Sequence, residues 1–268
     1  GDDRACIIQL LDTTTGQPLS SSVNVSNSAQ MVPIRGLFID ETDGNVGLFD
    51  LRTGESLAVL PTRELVIVPA LAKVSADGTT LAMVSESSTT PRVFVYRLDR
   101  ILDGDFTPIN DFFFTQVNNS SSLFTVNTTI SADGGLFAMS TLGGGLYVAD
   151  ARTSETVLAL PNNTDLRIIE RIKFSPDGTR ITLLGSNSAI KVRTLPPNEQ
   201  IINITGYSTA DDVVFSPDGS VLIVNNPEVG GTQTVTLNSE TLEFVVFEGP
   251  AGGSVGVMAY NPAMDRVA

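Results

Sequence analysis

The chain has 268 residues, 41% of them hydrophobic, which supplies a sizeable core and excludes global disorder. Its 30 acidic and 16 basic residues leave a formal charge of -14, which repels phosphate backbones and sets nucleic acid aside as a partner. Histidine and tryptophan are absent and Cys6 is the only cysteine, so an internal disulfide, a cysteine-based metal cluster and histidine-dependent chemistry are excluded.

No apolar run reaches the length of a bilayer span, and no membrane insertion is expected. The chain opens on Gly1 in place of an initiator methionine, which suggests a processed or excised chain and inclines the reading toward an extracytoplasmic location. In chain order, residues 6–12 and a short piece near Pro18 read as an outer strand pair. Residues 22–26, 36–40, 46–51 and 56–60 then read as one four-stranded unit with 22–26 innermost.

From there the chain repeats a five-residue unit, apolar-Ser-(Pro/Ala)-Asp-Gly, at residues 74–78, 130–134, 174–178 and 215–219. Its aspartates Asp77, Asp133, Asp177 and Asp218 stand 56, 44 and 41 residues apart, near the period of a four-stranded propeller blade. Pro presets the second position of a tight turn, Asp tolerates the third, and Gly accepts the left-handed conformation. Each turn leads into a buried apolar strand at 81–84, 136–139, 181–184 and 221–224. A further strand follows at 93–99, 146–150, 190–194 and 234–237, with outer strands such as 157–160 and 244–247. The 56-residue spacing marks an insertion around residues 99–110.

The reading is therefore all-β, a single β-propeller domain over residues 1–268. Residues 255–268 supply an inner strand pair that completes the blade begun by the outer pair at the N-terminus. That closure predicts six blades, five complete and one shared by the termini; excision from a seven- or eight-bladed parent is the alternative.

At Val46-Gly47-Leu48-Phe49-Asp50-Leu51-Arg52-Thr53-Gly54-Glu55 the chain resembles WD-repeat propellers, with Phe49 where that family usually carries Trp. Residues 10–16 and 147–153 resemble the same strand end. The Ser-Pro-Asp-Gly units are similar to degenerate prokaryotic WD-like and YVTN-type propellers. The resemblance spans nearly the whole chain and implies protein binding on a scaffold. Without His or Trp, the family's Gly-His dipeptide, Trp-Asp signature and buried Asp-His network cannot form, and no functional residue carries over.

No catalytic residue, metal site or cofactor is assigned. Asp99, Asp103 and Asp105 do not fit the spacing of an EF-hand and read as a solvated insertion. Gly143-Gly144-Gly145 lacks the Lys and helix of a phosphate cradle and reads as a hairpin turn. Sequon matches at Asn24, Asn118, Asn119, Asn127, Asn162 and Asn203 are about twice what so Ser- and Thr-rich a chain produces by chance. In a propeller the Ser-Pro-Asp-Gly turns share one face, and the opposite loop face is the more variable here. That face is the candidate binding surface for a protein or peptide, through Asn118, Asn119, Asn162, Asp165, Tyr207, Asp211, Asp212, Asn225, Asn226 and Glu228. The alternative is a carboxylate- or calcium-dependent hydrolase of lactonase or glycosidase type, for which Asp211, Asp212, Asn225, Asn226 and Glu228 form the conceivable set.

Overall fold

The computed structural model describes residues 6–9, 15, 17–18, 20, 22–26, 29–62, 71–85, 91–114, 124–161, 165–197, 199–204, 210, 212–226, 231–237 and 244–248, with backbone only for Cys6 and for every described residue from 225 onward. Among these residues the chain forms a two-stranded sheet and five four-stranded antiparallel meanders. The pair is β1 (Cys6–Ile8) with β2 (Val23–Val25). The meanders are β3 (Gln30–Val32) to β6 (Ser56–Leu60), β7 (Lys73–Val74) to β10 (Asn110–Phe113), β11 (Thr125–Ile130) to β14 (Thr156–Leu160), β15 (Ile169–Phe174) to β18 (Ile201–Ile204), and β19 (Asp212–Phe215) to β22 (Phe244–Glu248). The second and third strands are β4 (Leu37–Thr42) and β5 (Asn45–Asp50), β8 (Thr80–Ser85) and β9 (Arg92–Arg97), β12 (Leu136–Thr141) and β13 (Leu146–Asp150), β16 (Arg180–Gly185) and β17 (Ile190–Thr194), β20 (Val221–Asn226) and β21 (Gly231–Leu237).

The chain divides into two compact units, residues 1–113 with 151–154, and residues 114–150 with 155–268. In the first unit the meanders β3–β6 and β7–β10 enclose a core of Val32, Leu37, Leu48, Leu81, Met83, Phe94 and their neighbours. In the second, Leu146, Val148, Ile172 and Leu183 fill the space between β11–β14 and β15–β18. Val192, Val213, Leu222 and Val224 do the same between β15–β18 and β19–β22. Second strands such as β8 are buried on both faces, which explains their unbroken apolar sequence. The outer strand β18 alternates exposed and buried residues, as a half-covered strand does.

Two boundaries differ from expectation. Residues 22–26 are not the inner strand of the first meander: Val23–Val25 pairs with Cys6–Ile8, and Gln30–Val32 takes the inner position. Val25 packs on Phe38 and Leu51, while the Ser26 amide (2.8 Å) and hydroxyl donate to the buried Asp40 carboxylate, which anchors the pair beside β4. The insertion at 99–110 holds a short helix, α1 (Leu98–Leu102), whose Leu98 and Ile101 are buried, in place of a fully solvated loop. The expected closing pair at 255–268 lies outside the described residues.

The repeated turn is a closed polar network. Ser75, Ser131, Ser175 and Ser216 are buried, and each hydroxyl donates to the Asp two residues on at 2.5 or 2.6 Å. Each also accepts the amide of the residue five positions on: Thr80, Leu136, Arg180 and Val221. The same Asp accepts the amide two residues further along, and the glycine, at φ between +67° and +72°, donates back to the Ser carbonyl. The first meander makes a shorter version, Pro33-Ile34-Arg35-Gly36, with Gly36 at φ +64° and its amide on the Pro33 carbonyl.

These bonds act on the carboxylates. The Ser216 hydroxyl, with the Ser220 amide and hydroxyl, holds Asp218 down from 3.8 to about 2. Burial pushes Asp177 upward, but donation from Ser175 and Thr179 outweighs it and the net shift is downward. A depressed carboxylate stabilises the fold fully above its unfolded pKa of about 3.9, and the contribution is lost as pH falls through the folded value. The urea midpoint should therefore fall as pH drops from about 4 to about 2, and Asp218→Asn should shallow that fall. Ser216→Ala strands the half-buried Val221 amide and should cost about 1–3 kcal/mol by urea denaturation at neutral pH.

Candidate functional site

At the end of each meander opposite the repeated turn, second strands hand over to third strands and fourth strands lead to the next meander. Asp165 and Asp212 are the two predicted site residues whose side chains are described. Asp212 is buried at the start of β19, where its carboxylate takes both bonds of the Lys173 ammonium from β15 at 2.8 and 2.9 Å. A third bond comes from the Val213 amide. Asp165 is exposed and accepts from Lys191 at 2.9 Å, while its carbonyl accepts from the Asn187 side chain.

These contacts lock the loop at 165–168 against the hairpin at 185–189. The Ser186 amide donates to the Ile168 carbonyl, and Gly185 passes so close that a Cβ there would stand 2.5 Å from the Leu166 carbonyl oxygen. Asn225 and Asn226 close β20, with Asn225 directly across from Asp212 in the β19–β20 register. Asn118, Asn119, Asn162, Tyr207, Asp211 and Glu228 lie outside the described residues. The structure thus brings Asp212 and Asn225 together and sets Asp165 on a different loop.

Sequence reasoning missed an apolar pair at this same end. The Leu142 amide donates to the Phe124 carbonyl at 2.8 Å, placing side by side two residues that are 45% and 65% exposed. Phe124 precedes β11 and Leu142 follows β12.

The chemistry of the described groups is structural. Asp212, the member of the hydrolase set whose side chain is described, is already committed to an ion pair with Lys173. Among the described residues no group of three or more Asp, Glu or Cys side chains is placed to hold a metal ion. The WD-like Asp50 is likewise occupied. The amides of Thr53 and Arg52 donate to its carboxylate at 2.8 Å and hold it below the usual carboxylate range. In this chain the residue closes its own turn.

Consecutive first strands are joined by side chains that sequence reasoning also missed. Gln30 exchanges two bonds with the backbone of Val74, and the Asn127 carbonyl accepts the Ile172 amide. Arg35 and Arg180 reach the carbonyls of Gly78 and Gly219 in the next turn, each at 2.9 Å. Lys173 to Asp212 is the charged member of this set.

No protein-family model matches the sequence, and no curated protein matches it either. Among solved structures, the β-propeller domain of Cps50 (Swd1) from Myceliophteria thermophila superposes with a TM-score of 0.67 over 96% of this chain and 84% of that one. The fold is a β-propeller. Its four-stranded meanders are blades with WD-repeat-like strand ends, and the identity of 16% to that neighbour carries architecture alone. In all, 1407 chains of solved structure match, so the architecture by itself selects no activity. Among the described residues no helix is long and apolar enough to cross a membrane.

The Lys173–Asp212 bridge between the fourth and fifth blades has a direct test. Lys173→Met leaves a buried carboxylate without its partner and should cost about 2–3 kcal/mol by urea denaturation, below the usual 3–5 because the lysine is partly solvated. Adding Asp212→Leu in the same chain should recover most of that loss.

Proposed function

We propose that residues 1–268 act as a single propeller domain, a noncatalytic scaffold that binds a protein or peptide on the loop ends of its blades. The observation that carries this reading is the exposed Phe124–Leu142 pair, an apolar anchor at a blade end. The locked loop at 165–168 supports it by supplying a preorganised polar neighbourhood within the same unit, which lowers the entropic cost of binding. The proposed surface takes in Asn118, Asn119, Asn162, Asp165, Tyr207, Asp211, Asp212, Asn225, Asn226 and Glu228. The Lys173–Asp212 pair speaks against calcium-dependent hydrolysis there, because a metal would have to displace a bidentate ammonium.

Peptides selected from a random library on the intact protein should lose about tenfold or more in affinity to Phe124→Asp and to Leu142→Asp, read by calorimetry on variants whose circular dichroism is unchanged. Equal affinity for both variants and the parent would overturn the assignment of this surface.

A further inference from the structure

The loop ends of the third and fourth blades also carry two exposed arginines. Ser140, near the end of β12, donates its hydroxyl to the Ile169 carbonyl at the start of β15 at 2.8 Å. That bond sets Leu142, two residues beyond Ser140, beside Arg167 and Arg171, each two residues from Ile169. The Asn127 side chain accepts the Ile172 amide and holds the strand that follows Phe124 against the same stretch.

The backbone presents both arginines outward. Arg167 adopts φ +56°, uncommon for a residue with a side chain, and is exposed between buried Leu166 and half-buried Ile168. At Arg171 the cause is a bulge: the β15–β16 register shifts between Ile169 and Arg171, so Glu170 is the extra residue, and both it and Arg171 are exposed. The surrounding sequence is neutral, since residues 112–132, 134–149 and 156–164 hold no charged side chain. Lys191 is taken by Asp165, and Lys173 by Asp212. Among the described residues Arg167 has no hydrogen-bond or ion-pair partner, and Arg171 donates only to the Glu170 carbonyl, at 3.1 Å. Two cations therefore stand against one carboxylate, Glu170, beside the exposed apolar pair.

Charges are screened beyond about 8 Å at physiological ionic strength, so these arginines, and not the net charge of -14, set what docks here. We infer, on the basis of the loop-end surface proposed above, that its partner segment is acidic: an extended peptide of a partner protein in which Asp or Glu residues flank the apolar residue that seats on Phe124 and Leu142.

Fluorescence anisotropy on the intact protein at physiological salt tests this with three short labelled peptides, which alternate Glu with Leu, Lys with Leu, and Glu with Ser. The Glu-Leu peptide should bind at least about tenfold more tightly than either of the others, against the overall charge of the chain. Arg167→Glu/Arg171→Glu should weaken it about tenfold, and so should Phe124→Ala, which removes the ring without adding charge. Should the double reversal fail to fold, Arg167→Gln/Arg171→Gln carries the same expectation at about threefold. Tighter binding of the Lys-Leu peptide, equal binding of all three, or indifference to the arginine variants overturns the inference. So does an equally large loss in Arg52→Glu/Arg100→Glu, at exposed positions of the first two blades, which would assign the binding to diffuse surface charge. If only Phe124→Ala weakens the Glu-Leu peptide, the loop-end surface stands and its acidic partner falls; if Phe124→Ala binds like the parent, the surface falls as well.

Discussion

A buried hydroxyl must be satisfied on both its donor and its acceptor side, and the serine opening each repeated turn is held to that condition. Ser75, Ser131, Ser175 and Ser216 meet it by giving their proton to an aspartate and receiving an amide from the strand that follows. One side chain therefore fixes the register between the first and second strands of its blade. A one-residue slip would break this network and turn the apolar face of the second strand outward. The Asp and Gly that complete the turn follow from the same requirement, since the carboxylate needs its donors nearby and the chain must reverse within a few residues.

This local economy explains why the architecture was so legible. The Ser-x-Asp-Gly unit carries all its partners within five residues, so its recurrence marks the turn between first and second strands in four of the described meanders, and the 56-residue gap located the helix-bearing insertion. The first blade concealed its inner strand because Pro33-Ile34-Arg35-Gly36 reverses the chain with neither Ser nor Asp. With that landmark missing, the alternating residues 22–26 offered a more strand-like pattern than Gln30–Val32.

The site was less legible for a related reason. Asp165 and Asp212 look available as residue types, and only the fold shows that Lys191 and Lys173 have claimed them. Those lysines stand 26 and 39 residues away, beyond any local pattern. Phe124 and Leu142 fail in the opposite direction: a single apolar residue at a strand end reads as core until its exposure is known. Arg167 and Arg171 come beside that pair through the Ser140–Ile169 bond between two blades, a relation that no stretch of sequence contains.

The contacts between successive blades mostly end on the main chain. Gln30 meets the backbone of Val74, and Arg35 and Arg180 meet glycine carbonyls. A carbonyl oxygen is present whatever side chain stands there, so the receiving blade can drift in sequence without loosening its neighbour. Repeated blades joined in this way tolerate duplication or exchange of whole units. The charged joint at Lys173 and Asp212 instead pairs two side chains, so a change in one blade is felt in the next.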